Sequence, residues 1–210
     1  MADNYLGRKM EEYEAQKCAS VRTRRVSLLS LLTKNRSTRG FDSSFKVRED
    51  QLVSLIEAAR LAPTAMNQQA LRYRLVTESE ADLVLPHIRL GAALHDMKLP
   101  LEGTEPNAYV VICSTKEGRF VDMDLGIATQ TILLRAVEMG LNGICIAAFD
   151  KEAISEALQL PYAPQLIIAI GRTAERIEIV DINDGESQTY YRKNGVHYVP
   201  KLRTEELIIK

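Results

Sequence analysis

The apolar residues of this chain recur at helical spacing in some segments and form short continuous runs in others, so both helices and strands are predicted. A short apolar helix is predicted over residues 26–34, and a clearly amphipathic helix opens at Asp50 and ends before Pro63. The longest predicted helix covers about 122–139, with Asp122 as its N-terminal cap. Because that helix is apolar on most sides, we expect it in the middle of the protein.

Continuous apolar runs of strand length separate the predicted helices. Strands are predicted at 73–77, 108–113, 144–148 and 165–170, with a short strand-like tail at 206–210. Residues 181–197 are polar and rich in turn-forming residues, and we predict no regular element there. Since helices and strands mix without a regular alternation, the pattern favours an α+β fold over a doubly wound parallel sheet.

Composition narrows the class of protein. The chain has 210 residues, enough for one domain, and its 27 basic and 28 acidic residues give a net charge of −1. A general nucleic-acid-binding surface needs a basic excess and is therefore not expected. The N-terminus lacks the apolar core of a signal peptide, and no run of ~18 apolar residues indicates a membrane span, so we expect a cytoplasmic protein with no membrane partner.

Cysteines and histidines give no sign of a metal site. Cys18, Cys113 and Cys145 are odd in number and widely spaced, so neither a disulfide framework nor a ligand pair is indicated. Cys113 and Cys145 stand within apolar runs, where we expect buried, unreactive thiols. The three histidines also lack partners at ligand spacing and are interpreted as surface or structural residues: His87, His95 and His197.

A dense group of hydrogen-bond donors follows the first predicted helix. Arg36, Ser37, Thr38 and Arg39 place two guanidinium groups and two hydroxyl groups within four residues. Arginine offers a planar fork and serine a short hydroxyl, a combination that suits a phosphate group. The alternative interpretation is a solvated basic turn.

Two further stretches complete the candidate chemistry. The side-chain amides of Asn67 and Gln69 follow Pro63 and suit a ring edge that carries alternating carbonyl and N–H groups. Lys201 and Arg203 flank Leu202, and in an extended segment both could point the same way. The alternatives are an ordinary loop and a charged tail. If the three stretches converge, they suit a mononucleotide cofactor.

In their order and spacing, these stretches resemble the FMN-dependent nitroreductase family. The resemblance rests on Arg-Ser-x-Arg-x-Phe-Asp at 36–42, Ala-Pro-x-x-x-Asn-x-Gln at 62–69, Gly-Leu-x-Gly at 140–143 and Pro-Lys-x-Arg at 200–203. The first 25 residues lie outside it and are interpreted as a helical arm, and the resemblance implies that 26–210 form an FMN-binding domain. No motif of a hydrolase, zinc protease, P-loop enzyme or Rossmann protein is present.

The resemblance implies a central, mostly antiparallel sheet flanked by helices, in an intertwined homodimer with FMN at its interface. It implies that Arg36, Ser37 and Arg39 surround the phosphate, the ribityl chain and the pyrimidine edge. It places the other expected cofactor contacts at Asn67 and Gln69 on the ring, Lys201 and Arg203 on the phosphate, and the backbone of Ala147 or Ala148 at flavin N5. NADH or NADPH would donate hydride, and a small electron-poor acceptor such as a nitroaromatic or a quinone would receive it in ping-pong fashion.

Four positions depart from the family pattern. Asn35 replaces a basic residue, Ala70 stands where many relatives have proline before a tryptophan, Asn142 delays the second glycine, and Ala147 replaces an acidic residue found in some members. These departures leave three alternatives open. They are an FMN-binding protein without NAD(P)H turnover, a related flavin reaction such as dehalogenation or flavin breakdown, and a pocket for another phosphate ligand. Residues 86–107 are a plausible lid over the flavin.

Overall fold

A computed structural model of the chain describes residues 9–10, 26–91 and 99–209. The predicted N-terminal arm, 1–25, and part of the predicted lid, 92–98, lie outside the described residues. The α-helices are α1 (Leu28–Lys34), α2 (Glu49–Arg60), α3 (Arg119–Glu138), α4 (Lys151–Ala157) and α5 (Thr204–Leu207). The strands are β1 (Leu71–Val76), β2 (Ala108–Ser114), β3 (Asn142–Ile146), β4 (Ala163–Gly171), β5 (Arg176–Ile182), β6 (Tyr191–Lys193) and β7 (Val196–Leu202). Short 3-10 helices cover Ala65–Asn67, Glu78–Leu83 and Leu85–His87.

A four-stranded antiparallel sheet with the order β1-β2-β4-β3 forms the centre of the fold. Every residue of β2 is buried, as its continuous apolar run predicts for a strand covered on both faces. Alternate residues of β2 belong to different cores: Val110 and Ile112 pack with α2 and α3, and Tyr109 and Val111 pack with α4. The α+β prediction, with a mostly antiparallel central sheet flanked by helices, is confirmed.

The amphipathic helix α2 begins one residue before the predicted Asp50. Its N-terminus is closed by Arg48, whose backbone N–H donates to the Gln51 side chain at 3.0 Å. Leu52 and Leu55 are completely buried on its inner face. The helical spacing of its apolar residues therefore located both this helix and its buried face.

The long helix α3 differs from its prediction at its N-terminus. It begins at Arg119 after Gly118, so Asp122 lies in its first turn and is not the cap. Gly118 has φ +120°, a backbone conformation that glycine adopts without strain, and it ends the preceding loop. The C-terminal half of α3 is buried in the core, but Phe120 and Met123 in its first two turns are about half exposed.

A second sheet, of order β5-β7-β6, was not predicted from the sequence. Its central strand β7 runs parallel to β5 and antiparallel to β6. The expected strand at 206–210 is wrong for its first residues, because Glu206 and Leu207 lie in helix α5. Glu205 and Glu206 occupy the first turn of that helix, where a negative charge is favourable.

The loop after α1 joins the two sheets. Ser37 forms a parallel bridge with Gly143 at the free edge of β3, and the Thr38 N–H donates to the Gly143 carbonyl at 3.3 Å. The Asn142 side chain donates to the Lys34 carbonyl at 2.9 Å, which holds the end of α1 against the same strand. These contacts bring the basic loop beside β3. Within the described ranges, no helix is both long and apolar enough to cross a membrane.

Candidate functional site

A cavity of about 520 Å³ lies beside the edge strand β3, between α1, α3 and β7. It brings together residues that are far apart in the sequence, including Arg36, Ser37, Arg39, Gln130, Cys145, Tyr190, His197 and Lys201. Three of these residues are cationic, and none of the described residues that line the cavity is acidic. Such a charge distribution favours an anionic ligand.

Arg36 is anchored by the end of the first helix. Its guanidinium donates to the Leu32 carbonyl at 2.7 Å, one of the carbonyl groups that α1 leaves without an intrahelical partner. The Arg36 Nε atom is buried and has no hydrogen-bond partner among the described residues. Burial lowers the pKa of Arg36 from its usual range, although an arginine remains charged at neutral pH. A half-buried cation with an unused donor faces this cavity.

Arg39 is held at its backbone by a partly buried carboxylate. Glu175 accepts a hydrogen bond from the Arg39 backbone N–H and lies 3.1 Å from the Thr38 hydroxyl. Its other carboxylate oxygen pairs with Arg192 of β6, so both oxygens of Glu175 are engaged. These contacts of Glu175 hold the loop against the second sheet, and the Arg39 side chain remains available to line the cavity.

The strand β7 provides one wall of the cavity through its alternating side chains. His197, Val199 and Lys201 line it, whereas the residues between them face the other side of the sheet. Arg203 follows the end of β7 and is the N-cap residue of α5, and its backbone N–H donates to the Ile182 carbonyl at 3.1 Å. The structure therefore brings Lys201 to the cavity but does not bring Arg203 there.

The amide pair lies elsewhere on this chain. Asn67 and Gln69 are exposed in and after a short 3-10 turn, and the Gln69 amide donates to the Asn67 side chain at 3.2 Å. Met66, Asn67 and Gln69 have φ values of +52°, +52° and +45°, a strained conformation for residues with side chains. Asp124 of α3 accepts a hydrogen bond from the Ala65 N–H at 2.9 Å and supports this turn. Neither amide lines the cavity.

Ala147 and Ala148 follow β3 and are both exposed. The Ala148 carbonyl accepts a hydrogen bond from the Arg89 N–H at 2.9 Å. Ala148 and Arg89 also line a second cavity, of about 620 Å³, together with His87 and Lys151. The strand β3 thus runs from the first cavity, at Cys145, towards the second, at Ala148.

The structure adds residues to the site that sequence reasoning missed. Cys145 was expected to be buried and is instead exposed at the cavity, because β3 is an edge strand and this residue faces away from the core. Cys113 is buried as predicted, and burial raises the pKa of its thiol to about 11. His197 and Tyr190 also line the cavity. The spacing of His197 from Lys201, four residues along one strand face, is the signal that could have identified His197.

Comparison with known proteins identifies the family. A model of the nitroreductase family matches residues 32–172, more than half of the chain, and the protein therefore belongs to that family. The matched region contains the basic loop, the amide pair and β3, and it ends before β5 and β7. Among curated proteins, nothing matches the chain significantly.

Several solved structures resemble the chain. An FMN-dependent nitroreductase from Clostridium difficile R20291 is 25% identical, with a TM-score of 0.59 over 72% of this chain and 90% of that one. A nitroreductase family protein from Streptococcus pneumoniae TIGR4 is 19% identical, with a TM-score of 0.62 over 88% of this chain and 100% of that one. A protein described as a nitroreductase, from Exiguobacterium sibiricum and in complex with FMN, is 16% identical, with a TM-score of 0.58 over 71% and 90% of the two chains.

Proposed function

We propose that this protein is an FMN-dependent oxidoreductase that takes hydride from NADH or NADPH and reduces small electron-poor acceptors. The observation that carries the proposal is the cavity beside β3, where three cations converge and no carboxylate of the described part of the chain lines the wall. A buried guanidinium that lacks an acidic partner is unfavourable unless a ligand compensates its charge. Family membership and an FMN-dependent nitroreductase among the similar structures support FMN as that ligand.

The residues present fit this cofactor. Among the residues that the structure describes, the Nε atoms of Arg36 and Arg39 have no hydrogen-bond partner, so they can donate to a phosphate and to a ring carbonyl. Arg36, Ser37 and Lys201 would hold the phosphate and ribityl chain, and Arg39 would face the pyrimidine edge. The cavity volume, about 520 Å³, lies within the range of small-molecule and cofactor sites. Arg203 would reach the phosphate only by a change of its position after β7.

FMN supplies the hydride chemistry when it is bound, and the protein supplies position, charge and access. A cation at the pyrimidine edge favours the form of the cofactor that carries negative charge, and Arg39 is placed for this task. Backbone groups of Ala147 or Ala148 would orient the cofactor at the far end of β3. The cavity of about 620 Å³ beside Ala148 would admit the donor and the acceptor in turn, which corresponds to ping-pong kinetics.

A second copy of the chain would complete the site. Asn67 and Gln69, the residues expected at the ring, are exposed and lie outside the cavity of their own chain. Large apolar side chains are also exposed on the adjacent helices α1 and α3, at Leu28, Leu29, Leu32, Phe120, Met123 and Ile127. Exposed apolar side chains on two helices that pack against each other are typical of a protein–protein interface. We therefore propose a homodimer in which each amide pair faces the partner's cavity.

Dimerisation can be tested by placing a charge in the apolar patch. Met123→Glu should shift the protein towards a monomer in sedimentation velocity, because a carboxylate would lose its hydration in an apolar interface. Leu83→Glu is the matched control, since Leu83 is 42% exposed on the 3-10 helix at the other face of the central sheet. Dimers of equal stability in both variants would count against this interface.

Cofactor binding is tested by the visible spectrum of the purified protein, before and after anaerobic addition of NADH or NADPH. A flavin spectrum that bleaches supports an FMN reductase and reports the preferred donor. A flavin spectrum that persists favours the alternative of an FMN-binding protein without NAD(P)H turnover. The double variant Arg36→Ala, Lys201→Ala should lose the flavin, because it removes two of the three cations that line the cavity. Full flavin occupancy in that variant would show that the site is elsewhere.

The thiol of Cys145 offers a readout that does not depend on turnover. In a Cys18→Ser background, Cys145 should react with a thiol reagent in the FMN-free protein, whereas Cys113 is buried and should not. Desolvation raises the pKa of the Cys145 thiol, so the labelling is best done above pH 8. Added FMN should slow the labelling. A labelling rate that saturating FMN leaves unchanged would argue against cofactor binding beside β3.

A further inference from the structure

We propose that His197 is a positioning residue that holds the Arg39 guanidinium against the pyrimidine edge of the cofactor, through its neutral Nε2 atom. The inference rests on the proposed FMN site and adds to it a residue that lies outside the region matched by the family model. Three features of the structure carry it: the neutral groups around Arg39, the contact of its guanidinium with His197 Nε2, and the place of His197 in the second sheet.

Arg39 is a buried cation whose guanidinium forms no ion pair with an acidic side chain of the described ranges. It is 8% exposed, and the ion pairs of the described residues include none with its guanidinium. Glu175 is near in space, but its carboxylate is occupied by Arg192 and by the Arg39 backbone N–H. The Arg39 side chain is therefore available for a ligand, provided that neutral groups hold it in place.

Neutral groups hold the Arg39 guanidinium in place. The guanidinium carbon lies 4.6 Å from the centre of the Tyr190 ring, and Nη1 donates to the Ser37 carbonyl at 3.1 Å. The same nitrogen lies 3.4 Å from His197 Nε2. Because a guanidinium has donors only, Nε2 must accept this hydrogen bond, and the ring proton must be on Nδ1. A protonated His197 could not accept it and would instead repel Arg39.

The environment keeps His197 in that neutral form. The residue is 3% exposed, and its Nδ1 atom is buried without a hydrogen-bond partner among the described residues. Burial lowers the pKa of His197, and Arg39 and Arg192 lower it further, whereas Glu175 acts in the opposite direction. At neutral pH the ring is therefore an acceptor for Arg39.

His197 is also rigidly placed. It lies in β7, the central strand of the second sheet, where it is paired with Ile177 on one side and Arg192 on the other. Its ring packs against Tyr190 with ring centres 5.2 Å apart. Side chains on a paired central strand have little freedom to move, and they can fix a neighbouring group more accurately than a loop can. The second sheet, although remote from this loop in the sequence, thus fixes the direction of the Arg39 guanidinium.

The test compares the affinities for oxidised and for reduced FMN, measured anaerobically on the full-length protein. We expect His197→Leu to weaken the binding of reduced FMN about tenfold more than that of oxidised FMN, because the guanidinium is no longer aimed at the edge that gains charge. For a two-electron couple this ratio corresponds to a potential lowered by about 30 mV. His197→Gln, whose side-chain oxygen can replace Nε2 as an acceptor, should keep the wild-type ratio.

Two controls separate positioning from a general structural effect. Tyr198→Leu changes the next residue of β7, which faces the other side and stacks on Tyr191 with ring centres 5.2 Å apart, so it should leave the ratio unchanged. If His197→Leu does not fold, His197→Asn replaces it, since a shorter amide reaches the place of Nδ1 but not that of Nε2. Asparagine should then lose the preference for reduced FMN that glutamine retains.

Each outcome decides between the hypotheses. An equal loss of affinity for both forms of FMN would show a merely structural role and overturn the proposal, as would a His197→Gln variant that behaves like His197→Leu or His197→Asn. These results would leave the proposed function intact, because the wild-type protein would still bind FMN. A wild-type protein that binds no FMN would overturn both the function and the positioning role.

Discussion

The fit between β3 and its neighbours makes Gly143 the most informative position for a mutation. A Cβ atom built on Gly143 lies 2.6 Å from the Ala169 carbonyl oxygen, 2.8 Å from a methyl group of Leu133 and 3.0 Å from a methyl group of Ile170. The closest of these atoms belongs to the backbone of β4, which cannot turn away as a flexible side chain can. We therefore expect Gly143→Ala to push β3 away from β4 and α3.

The magnitude follows from these contacts. Overpacking a well-packed core typically costs about 1–3 kcal/mol, and a clash with backbone belongs to the upper part of that range. Replacing glycine also lowers the conformational entropy of the unfolded chain, which raises the free energy of unfolding by about 0.4–1 kcal/mol. The net loss of unfolding free energy should be about 1–2.5 kcal/mol. For a chain of this size, the loss corresponds to a melting temperature lower by roughly 2–10 °C.

The assay is thermal unfolding followed by circular dichroism, with Cys145→Ala as the matched control. That substitution places an alanine two residues along the same strand, where the side chain is exposed, and should change the stability by less than about 0.5 kcal/mol. Because the Gly143 carbonyl accepts from the Thr38 N–H, Gly143→Ala should also displace the basic loop and weaken FMN binding. A melting temperature equal to or above that of the wild type would refute the packing of β3 described here.

Two further predictions concern ionisable side chains of the second sheet and of the residue that precedes it. Lowering the pH from 7 to about 5 should lower the melting temperature, because the pKa of His197 is depressed in the folded protein while the unfolded chain binds the proton below about pH 6.5. His197→Gln should lose less stability over that interval, and an equal acid sensitivity of the two proteins would contradict the depressed pKa. Arg192→Ala should lower the free energy of unfolding by about 1–3 kcal/mol, since it leaves the partly buried carboxylate of Glu175 without its ion-pair partner. Adding Glu175→Gln should restore part of the loss in chemical denaturation, and no recovery would mean that the carboxylate is not the source.

Local patterns in the sequence located the strands of the central sheet and the helices α1, α2 and α3 to within a few residues, and the antiparallel arrangement was implied by the family resemblance. The continuous apolar run of β2 predicted a strand covered on both faces, since no polar position was left for water. Leu52, Leu55 and Ala59 predicted the buried face of α2 through their helical spacing. The first turn of α3 was less predictable, because Asp122 is a good capping residue but the turn already begins after Gly118.

The candidate site was predictable in its residue types and less so in its assembly. Arg36, Ser37, Arg39 and Lys201 were identified from their chemistry and from a family resemblance, and the structure brings all four to one cavity. The separation of Lys201 from Arg203 could not be predicted, because it depends on where β7 ends. The proposed contribution of Asn67 and Gln69 to a partner's site depends on a surface that a single sequence does not display.

The sequence by itself determined the elements that bury their own apolar face and the donors that suit a phosphate, because both depend on neighbouring residues only. Tertiary structure alone decided the second sheet, the exposure of Cys145 on an edge strand, and the contact of Arg39 with His197. Local spacing does not specify how β5 and β7 pair, because their ladder joins residues on either side of a turn-rich region. Arg39 and His197 lie 158 positions apart in the chain. Their contact exists because the bridge between Ser37 and Gly143 and the carboxylate of Glu175 hold the basic loop against both sheets, and such long-range contacts leave no periodic signal in the sequence.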